Sequence, residues 1–254
     1  MKISVITAVR DSALTVREAI ESVQAQQHAE VEHLIIDGAS TDGSLAVIEA
    51  VADEETRVVS EADDGLYHAL NKGLTLATGD VLGVMHSDDV YADDQVLSSV
   101  ASAFEDPAVD AVYGDLEYVA RDDPGRVVRR WRAGEFDQVC LRRGWMPPHP
   151  TLFLRRSVIE EYGAYDTTYR ISADYDAVLR YFSTPGFRAR YVPRVLVRMR
   201  TGGLSNGSLR ALVRKGREDR LALRRSGIGG AGTLLLKMSR KLPQFFAPRG
   251  GDAQ

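Results

Sequence analysis

The chain has 254 residues, of which 44% are hydrophobic and 27% are charged, and its formal net charge is −4. These values are ordinary for a globular protein with a substantial core. A single cysteine, Cys140, excludes an internal disulfide, and no segment approaches the roughly 20 consecutive apolar residues of a membrane span. The N-terminus lacks the apolar stretch of a signal peptide, so we expect a cytoplasmic location.

Charge is distributed unevenly along the chain. Residues 1–187 contain 16 Lys and Arg against 33 Asp and Glu, whereas residues 188–254 contain 16 against 3. A chain polarised in this way often has a basic surface that binds an anion. Charge alone leaves both nucleic acid and anionic lipid open as partners.

Strand and helix patterns alternate four times within the first 90 residues. The pattern predicts buried strands at 2–9, 31–38, 57–61 and from 80 onward, and helices at 12–26, 44–53 and 65–78. This alternation predicts an α/β fold in which helices flank a mostly parallel, Rossmann-like central sheet. Ligands of such sheets bind at the carboxyl ends of the strands, so the polar residues that end these strands are the first candidates for a site.

The second half of the chain is less regular. Its predicted elements are, in order, a pair of strands within 111–133 that turns at 122–125, a proline-rich loop, strand and helix within 144–163, a helix at 172–183 and a strand at 189–200. From Ser208 onward the pattern is that of a basic helical tail. We therefore expect a core domain of residues 1–207 and a tail of residues 208–254.

Two adjacent carboxylates, Asp88 and Asp89, follow the fourth predicted strand. Two neighbouring buried carboxylates are unfavourable unless something positive pairs with them. Oxygen ligands with open positions for phosphate suit a hard divalent cation, Mg²⁺ or Mn²⁺. The alternative is that one of the two simply caps the helix that follows.

Asp37 ends the second predicted strand and precedes a glycine. Its carboxylate could accept hydrogen bonds from a nucleobase or a ribose, or it could form an Asx turn. The sequence contains neither the glycine fingerprint of dinucleotide-binding folds nor a P-loop. A phosphate ligand would therefore need a metal in place of a glycine-rich cradle.

Five segments in a fixed order resemble the family 2 glycosyltransferases of bacterial surface-polysaccharide synthesis. They are ISVITAVRD, LIIDGASTDGS, SEADDGLYHALNKGLTLATGDVLGVMHSDD, WMPPHPTLFLRRSVIEEYGAYD and ISADYDAVLR, and the resemblance runs from about Lys2 to Gly203. It implies a GT-A fold and inverting transfer of a hexosyl or hexosaminyl group from a nucleotide-diphosphate sugar, with a UDP-sugar favoured. It also implies a glycan or polyprenyl-linked acceptor and no nucleic-acid partner. Residues 1–115 would form the donor half and residues 116–207 the acceptor half.

The resemblance also implies roles for individual residues. It makes Asp88 and Asp89 the end of the family's metal motif, with Asp89 as the preferred direct ligand. Relatives often have Asp or Asn where this chain has His86, which leaves the identity of the metal open. The residues implied for donor binding are Thr7, Ala8, Val9, Arg10, Asp37, Asn71, Lys72 and Asp88.

Inverting transfer needs a carboxylate that accepts the proton of the attacking hydroxyl. Asp174 and Asp176 are candidates, and on a helix they diverge by about 200°, so they cannot share the role. The resemblance selects Asp174, whose alternative role is to cap the helix. Trp145 could stack on a sugar or anchor its loop in the core, and His149 could contact donor phosphates or acceptor or be structural.

The tail contains apolar residues beside basic ones, a pattern that can lie in a membrane interface or pack on protein. The residues are Leu234, Leu235, Leu236, Met238, Leu242, Phe245 and Phe246 with Lys237, Arg240 and Lys241. We expect the tail to bind the anionic inner face of the plasma membrane peripherally. Two other function classes remain open: another sugar-nucleotide enzyme on this fold, and a non-catalytic glycan- or lipid-binding relative, to which only His86 points.

Overall fold

A computed structural model describes residues 1–28, 30–202 and 209–239 of the chain. Within that part, nine strands form one sheet. They are β1 (Ile3–Val9), β2 (Val31–Asp37), β3 (Thr56–Ser60), β4 (Val81–His86), β5 (Val90–Tyr91), β6 (Ala111–Ala120), β7 (Asp123–Trp131), β8 (Phe153–Arg155) and β9 (Ala189–Arg200). The helices are α1 (Val16–Gln24), α2 (Ser44–Val51), α3 (Leu66–Leu76), α4 (Val96–Ala103), α5 (Gln138–Arg142), α6 (Arg156–Tyr162), α7 (Ala173–Phe182), α8 (Leu209–Ser226) and α9 (Ala231–Ser239), with a 3₁₀ turn at His149–Thr151.

The first four strands form a parallel sheet in the order β3-β2-β1-β4. All seven residues of β1 are buried, as expected for a parallel strand covered by helices on both faces. The register places Val9 opposite Asp37 and Ala8 opposite His86. The carboxyl ends of β1, β2 and β4 therefore meet at one edge of the sheet.

The remaining strands make the sheet mixed. β8 pairs antiparallel with both β4 and β6, β7 pairs antiparallel with β6, and β5 pairs antiparallel with β9, whereas β6 and β9 are parallel. The α/β architecture with flanking helices is confirmed, but the expectation of a mostly parallel sheet holds only for the first half. The second half contains the β6–β7 hairpin and the three-residue strand β8, and such antiparallel pairs do not need long crossover helices.

Two local predictions differ from the structure. The turn of the β6–β7 hairpin lies at Arg121 and Asp122, and the Pro–Gly pair after it belongs to an irregular start of β7, where the register shifts. Helix α1 begins at Val16, because the carbonyl of Ser12 accepts the N–H groups of Thr15 and Val16 in a preceding turn.

The C-terminal helices pack on the rest of the molecule. On α8, Ala222 and Leu223 are fully buried in the same hydrophobic cluster as α3 and α7. On α9, Thr233 and Lys237 are buried. The tail residues Arg240, Lys241, Leu242, Phe245 and Phe246 lie outside the described residues. None of the described helices combines the length and the apolar character that a membrane crossing requires.

Candidate active site

Asp88 and Asp89 have different environments just beyond β4. Asp88 is partly exposed at the sheet edge, whereas Asp89 is completely buried. Asp89 Oδ1 accepts the backbone N–H of Arg200 at 3.1 Å, and Asp89 Oδ2 is buried without a hydrogen-bond partner. Burial, and then the neighbouring Asp88, raise the pKa of Asp89 well above its usual range. Neither residue caps α4, which begins at Val96.

Arg200, at the end of β9, binds the backbone of Asp88 and the side chain of Asp89. Its guanidinium donates to the carbonyl of Asp88 at 2.7 Å and to the carboxylate of Glu18 at 2.5 Å. The side chain of Arg200 is only 4% exposed, so its charge is neutralised locally by these acceptors. Sequence reasoning missed this residue, because nothing in the local pattern of β9 distinguishes it from the other arginines of that strand.

Two histidines meet beside Asp88. The ring centroids of His86 and His149 are 5.9 Å apart, and His149 Nε2 is 2.7 Å from the hydroxyl of Tyr165. Burial lowers the pKa of His149 to about 4 and also lowers the pKa of His86. The negative charges of Asp88 and Asp174 act on His86 in the opposite direction. At neutral pH both imidazoles are therefore uncharged and can donate or accept hydrogen bonds.

Asp174 lies near the same two histidines, in the first turn of α7, and its charge acts on both of them. It is partly exposed, and the hydroxyl of Tyr67 is 3.3 Å from its Oδ1. The same hydroxyl donates to the carbonyl of Ile171 at 2.7 Å. Asp88 from the first half of the chain and Asp174 from the second half thus border one site.

Asp176 has a structural environment instead. Its carboxylate accepts from Arg180 at 2.9 Å, and Arg180 also donates to the carbonyls of Tyr162, Gly163 and Ala164. Asp176 is 7% exposed. The two carboxylates of the SADYD segment are therefore separated as helical geometry predicts, and only Asp174 is presented to the site.

Several residues predicted to bind the donor are engaged within the protein. The Thr7 hydroxyl is 2.9 Å from His33 Nε2 in the core. Asn71 exchanges hydrogen bonds with the backbone of Tyr165. Lys72 forms ion pairs with Asp63 and Glu61 at 2.7 and 2.8 Å, and the hydrogen bond that it donates to Asp63 is the main cause of its raised pKa.

The other predicted donor-binding residues lie at the carboxyl ends of β1 and β2. Asp37 is fully buried and accepts from the Ser60 hydroxyl at 2.7 Å and from the N–H of Ser40, three residues further on. Ala8 and Val9 are buried in β1. Arg10 is exposed beyond them and donates to the carbonyl of Gly38.

Trp145 anchors its loop in the core. It is 4% exposed, and its Nε1 donates to the carbonyl of Ala133 at 2.8 Å. Its ring packs against Phe136, Phe182 and Tyr113 at centroid distances of 5.1–5.6 Å. The sugar-stacking alternative does not fit this burial, whereas His149 in the same loop does reach the site.

The residues at the sheet edge could hold a divalent cation only if a bound ligand supplied some of the coordinating oxygens. No three His, Cys, Asp or Glu side chains converge as a metal site among the described residues. Asp88 offers an accessible carboxylate, with the unpartnered Oδ2 of Asp89 buried behind it. Mg²⁺ and Mn²⁺ accept such partial protein coordination when substrate phosphates and water complete the shell, so the site fits a cation that arrives with its donor.

The sequence profile of glycosyl transferase family 2 matches residues 4–183. That span includes Asp37, Asp88, His149 and Asp174. The chain belongs to glycosyl transferase family 2.

Curated relatives agree with this assignment. A PGL/p-HBAD biosynthesis glycosyltransferase of Mycobacterium tuberculosis is 31% identical over 209 residues, which cover 80% of this chain and 78% of that protein. An uncharacterized glycosyltransferase of Nostoc sp. is 31% identical over 185 residues, or 68% of this chain and 57% of that protein. The predicted family and its glycosyltransferase activity are thereby confirmed.

Solved structures confirm the predicted GT-A fold. Mannosyltransferase PcManGT from Pyrobaculum calidifontis, in complex with GDP-Man and Mn²⁺, superimposes on the glycosyltransferase with a TM-score of 0.67 at 20% identity, covering 97% of this chain and 73% of that one. S. aureus TarS gives a TM-score of 0.66 at 15% identity and 97% coverage of this chain. The glycosyltransferase spans 44% of the length of that TarS chain.

Proposed function

We propose that this glycosyltransferase moves a hexosyl or hexosaminyl group from a nucleotide-diphosphate sugar to a hydroxyl of a glycan or polyprenyl-linked acceptor, with inversion and with Mg²⁺ or Mn²⁺. The observation that supports this best is that Asp88 and Asp174, from opposite halves of the chain, both lie close enough to the His86–His149 pair for their charges to act on it. In this proposal Asp88 serves the donor diphosphate, and Asp174 serves the acceptor hydroxyl.

Asp174 is the proposed general base. A hydroxyl that attacks the anomeric carbon loses its proton to the carboxylate as the new bond forms, while the sugar–phosphate bond breaks on the opposite face. Tyr67, 3.3 Å from Asp174 Oδ1, restrains this carboxylate without adding a positive charge. Asp176 is not available for this role, because it is buried and ion-paired with Arg180.

Asp88 is the proposed direct metal ligand, with Asp89 as its support. The family resemblance implied that Asp89 is the direct ligand. The complete burial of Asp89 and its hydrogen bond from the Arg200 N–H favour Asp88 instead. When bound, the cation would neutralise charge on the departing diphosphate. The uncharged His86 and His149 are placed to donate hydrogen bonds to the same phosphate or sugar oxygens.

The acceptor proposal takes support from the relatives. The Mycobacterium tuberculosis protein is named for PGL/p-HBAD biosynthesis, and we propose a role in the synthesis of cell-surface glycolipid or polysaccharide for this chain as well. Such an acceptor would be presented at the inner face of the plasma membrane. The exposed basic and apolar residues of the C-terminal helices suit such a location.

The outward face of α8 is strongly cationic. Five exposed arginines recur along it, Arg210, Arg214, Arg217, Arg220 and Arg224. The acidic residues of α8, Glu218 and Asp219, both point inward. Next to this face, α9 exposes Leu235, Leu236 and Met238 and buries polar residues, which reverses the usual arrangement of a surface helix. Exposed cationic and apolar residues together are typical of a surface that binds anionic lipid.

The test is a thermal-shift screen of UDP-, GDP- and dTDP-sugars with and without Mn²⁺. A ligand that binds only the folded state raises its free energy of unfolding, by about 2.7 kcal/mol at 100 times its Kd. We expect one nucleotide class to raise the melting temperature, and to do so only with Mn²⁺. Radiolabelled sugar release then measures turnover. Binding without turnover would favour the non-catalytic alternative, and full turnover in EDTA would contradict metal dependence.

A further inference from the structure

We propose that the C-terminal helix pair positions the base of this glycosyltransferase, and that Glu218 is the residue through which it acts. The inference rests on the proposed role of Asp174. Glu218 lies on α8, beyond the family match at residues 4–183. It would therefore be a feature that this chain adds to the family's common core.

Glu218 binds the backbone segment that leads into α7. Its Oε2 accepts the N–H groups of Ile171 and Ser172 at 2.8 and 3.0 Å, and its Oε1 accepts that of Arg170 at 3.3 Å. Hydrogen bonds to a charged acceptor are stronger than neutral ones, and here one carboxylate binds three successive peptides. Asp174 lies two residues beyond Ser172, at the start of the helix.

The helix itself offers no substitute for this contact. Ser172 occupies the N-cap position of α7 but makes no side-chain capping bond, and its hydroxyl is buried without a partner. The N–H of Ser172 is one of the N–H groups that have no partner within the helix, and those of Arg170 and Ile171 precede the helix. Residues 170–172 thus depend on a carboxylate that is 46–48 residues away in sequence.

A second contact holds Tyr175, at the start of α7. Asp219 pairs with Lys237 of α9 at 2.9 Å, and both side chains are buried. Lys237 Nζ lies 3.0 Å from the ring centroid of Tyr175, the residue after Asp174. Burial lowers the pKa of Lys237 to about 8, so the ammonium is mostly charged at pH 7 and attracts the ring face.

The position of residues 170–172 affects the site directly. The carbonyl of Ile171 accepts from Tyr67, whose hydroxyl is also 3.3 Å from Asp174, while the N–H of Ile171 is bound by Glu218. One residue, Ile171, therefore connects the C-terminal helices to the proposed base. A displacement of about 1 Å of a reacting group can reduce a rate by about 10²-fold, so loss of Glu218 should reduce turnover more than it reduces donor binding.

The experiment compares Glu218→Gln with two controls in the full chain. Glu160→Gln makes the same change at an exposed position of α6, and Leu223→Ala destabilises α8 from its buried face while keeping the Glu218 carboxylate. The readouts are kcat and KM for hydrolysis of the sugar nucleotide chosen by thermal shift, and amide hydrogen exchange at Ile171 and Ser172. All are measured well below the melting temperatures.

For Glu218→Gln we expect kcat to fall by about 10- to 100-fold, KM to stay within about twofold, and exchange at Ile171 and Ser172 to become faster. Glu160→Gln should behave like the wild type, and Leu223→Ala should lose stability but keep most of its turnover. If Glu218→Gln does not fold, Glu218→Asp keeps the charge on a shorter side chain and is measured in the same way.

Two outcomes would overturn the proposal. One is a wild-type kcat for the Glu218 variant. The other is that Leu223→Ala loses as much kcat as the Glu218 variant when both have lost the same stability. The loss would then come from destabilisation, and Glu218 would be merely structural. If the wild type hydrolyses no sugar nucleotide, the proposed function has failed, and the exchange readout decides separately: unchanged exchange at Ile171 and Ser172 rejects the contact.

Discussion

At the scale of single residues, Asp174 and Asp176 show how two carboxylates of one helical turn acquire different roles. Asp174 is partly exposed beside Tyr67, whereas Asp176 is paired with Arg180. We expect Asp174→Asn to reduce turnover by about 10²-fold or more, because the amide cannot accept the proton, and to leave donor affinity nearly unchanged. Asp176→Asn should instead lower the melting temperature. Near-wild-type turnover of Asp174→Asn would assign the base to another residue.

Variants of Asp88 and Asp89 test which of the two carboxylates binds the metal directly. Asp88 is accessible and Asp89 is buried with a hydrogen bond from Arg200. We expect Asp88→Asn to weaken Mn²⁺-dependent UDP binding by about tenfold, the effect of losing one contact to a charged group, and to leave binding in EDTA unchanged. Calorimetric titration measures both. Asp89→Asn should mainly lower stability. If Asp89→Asn instead weakens Mn²⁺-dependent binding and Asp88→Asn does not, Asp89 is the direct ligand.

At the scale of elements, the sequence predicts the first half of the fold well because each strand of the parallel sheet is a short apolar run with a polar end. β1, β2 and β4 are of this kind, and their register brings Asp37 and His86 to one edge. The second half depends on contacts between distant segments. No local pattern indicates that Arg200 binds the Asp88 carbonyl, or that Glu218 binds the peptides before α7.

His33 on β2 makes a prediction about pH. It is buried, its Nε2 is 2.9 Å from the Thr7 hydroxyl, and its Nδ1 has no partner. Burial lowers its pKa to about 4, against a smaller opposing effect of Asp53. Below about pH 6.5, His33 therefore binds a proton in the unfolded chain but not in the folded chain. Its contribution to the free energy of unfolding is complete above pH 6.5 and is lost as the pH falls toward 4.

We expect this residue alone to reduce the free energy of unfolding by up to about 3 kcal/mol between pH 6.5 and 4. Urea unfolding of wild type and His33→Gln at several pH values isolates the effect, because other titrating groups are common to both. The difference between the two proteins should shrink as pH falls. A difference independent of pH would mean that water or a local opening solvates the imidazole in the folded state.

At the scale of the whole molecule, part of the basic charge of the last 67 residues is exposed on α8. The basic part of the described chain ends in α8 and α9. The sequence predicted a membrane-binding tail, but Thr233 and Lys237 of α9 are buried against the core. Removing the chain after residue 230 would expose Asp219 and disturb the surroundings of Tyr175, so truncation is not a clean test of membrane binding.

Substitutions on the outward face of α8 avoid this difficulty. Arg214, Arg217 and Arg220 are exposed on that face, and each basic residue near an anionic surface contributes about 1 kcal/mol. Changing all three to Gln should weaken binding to phosphatidylglycerol-containing vesicles by about 10²-fold in a co-sedimentation assay. Added salt should weaken wild-type binding in the same way, because it screens these charges. Thermal stability and turnover with a water-soluble acceptor should not change.

The control is a second triple variant with the same loss of charge elsewhere on the surface. Arg57, Arg126 and Arg142 are exposed outside the C-terminal helices, and their replacement by Gln should leave vesicle binding nearly intact. If both triple variants bind equally, net charge alone governs the interaction and α8 is not the docking face. If neither they nor the wild type binds anionic vesicles at low salt, the membrane role is wrong. The exposed Leu235 and Met238 of α9 would then be better explained as a contact with a second subunit, which sedimentation velocity would detect as a dimer.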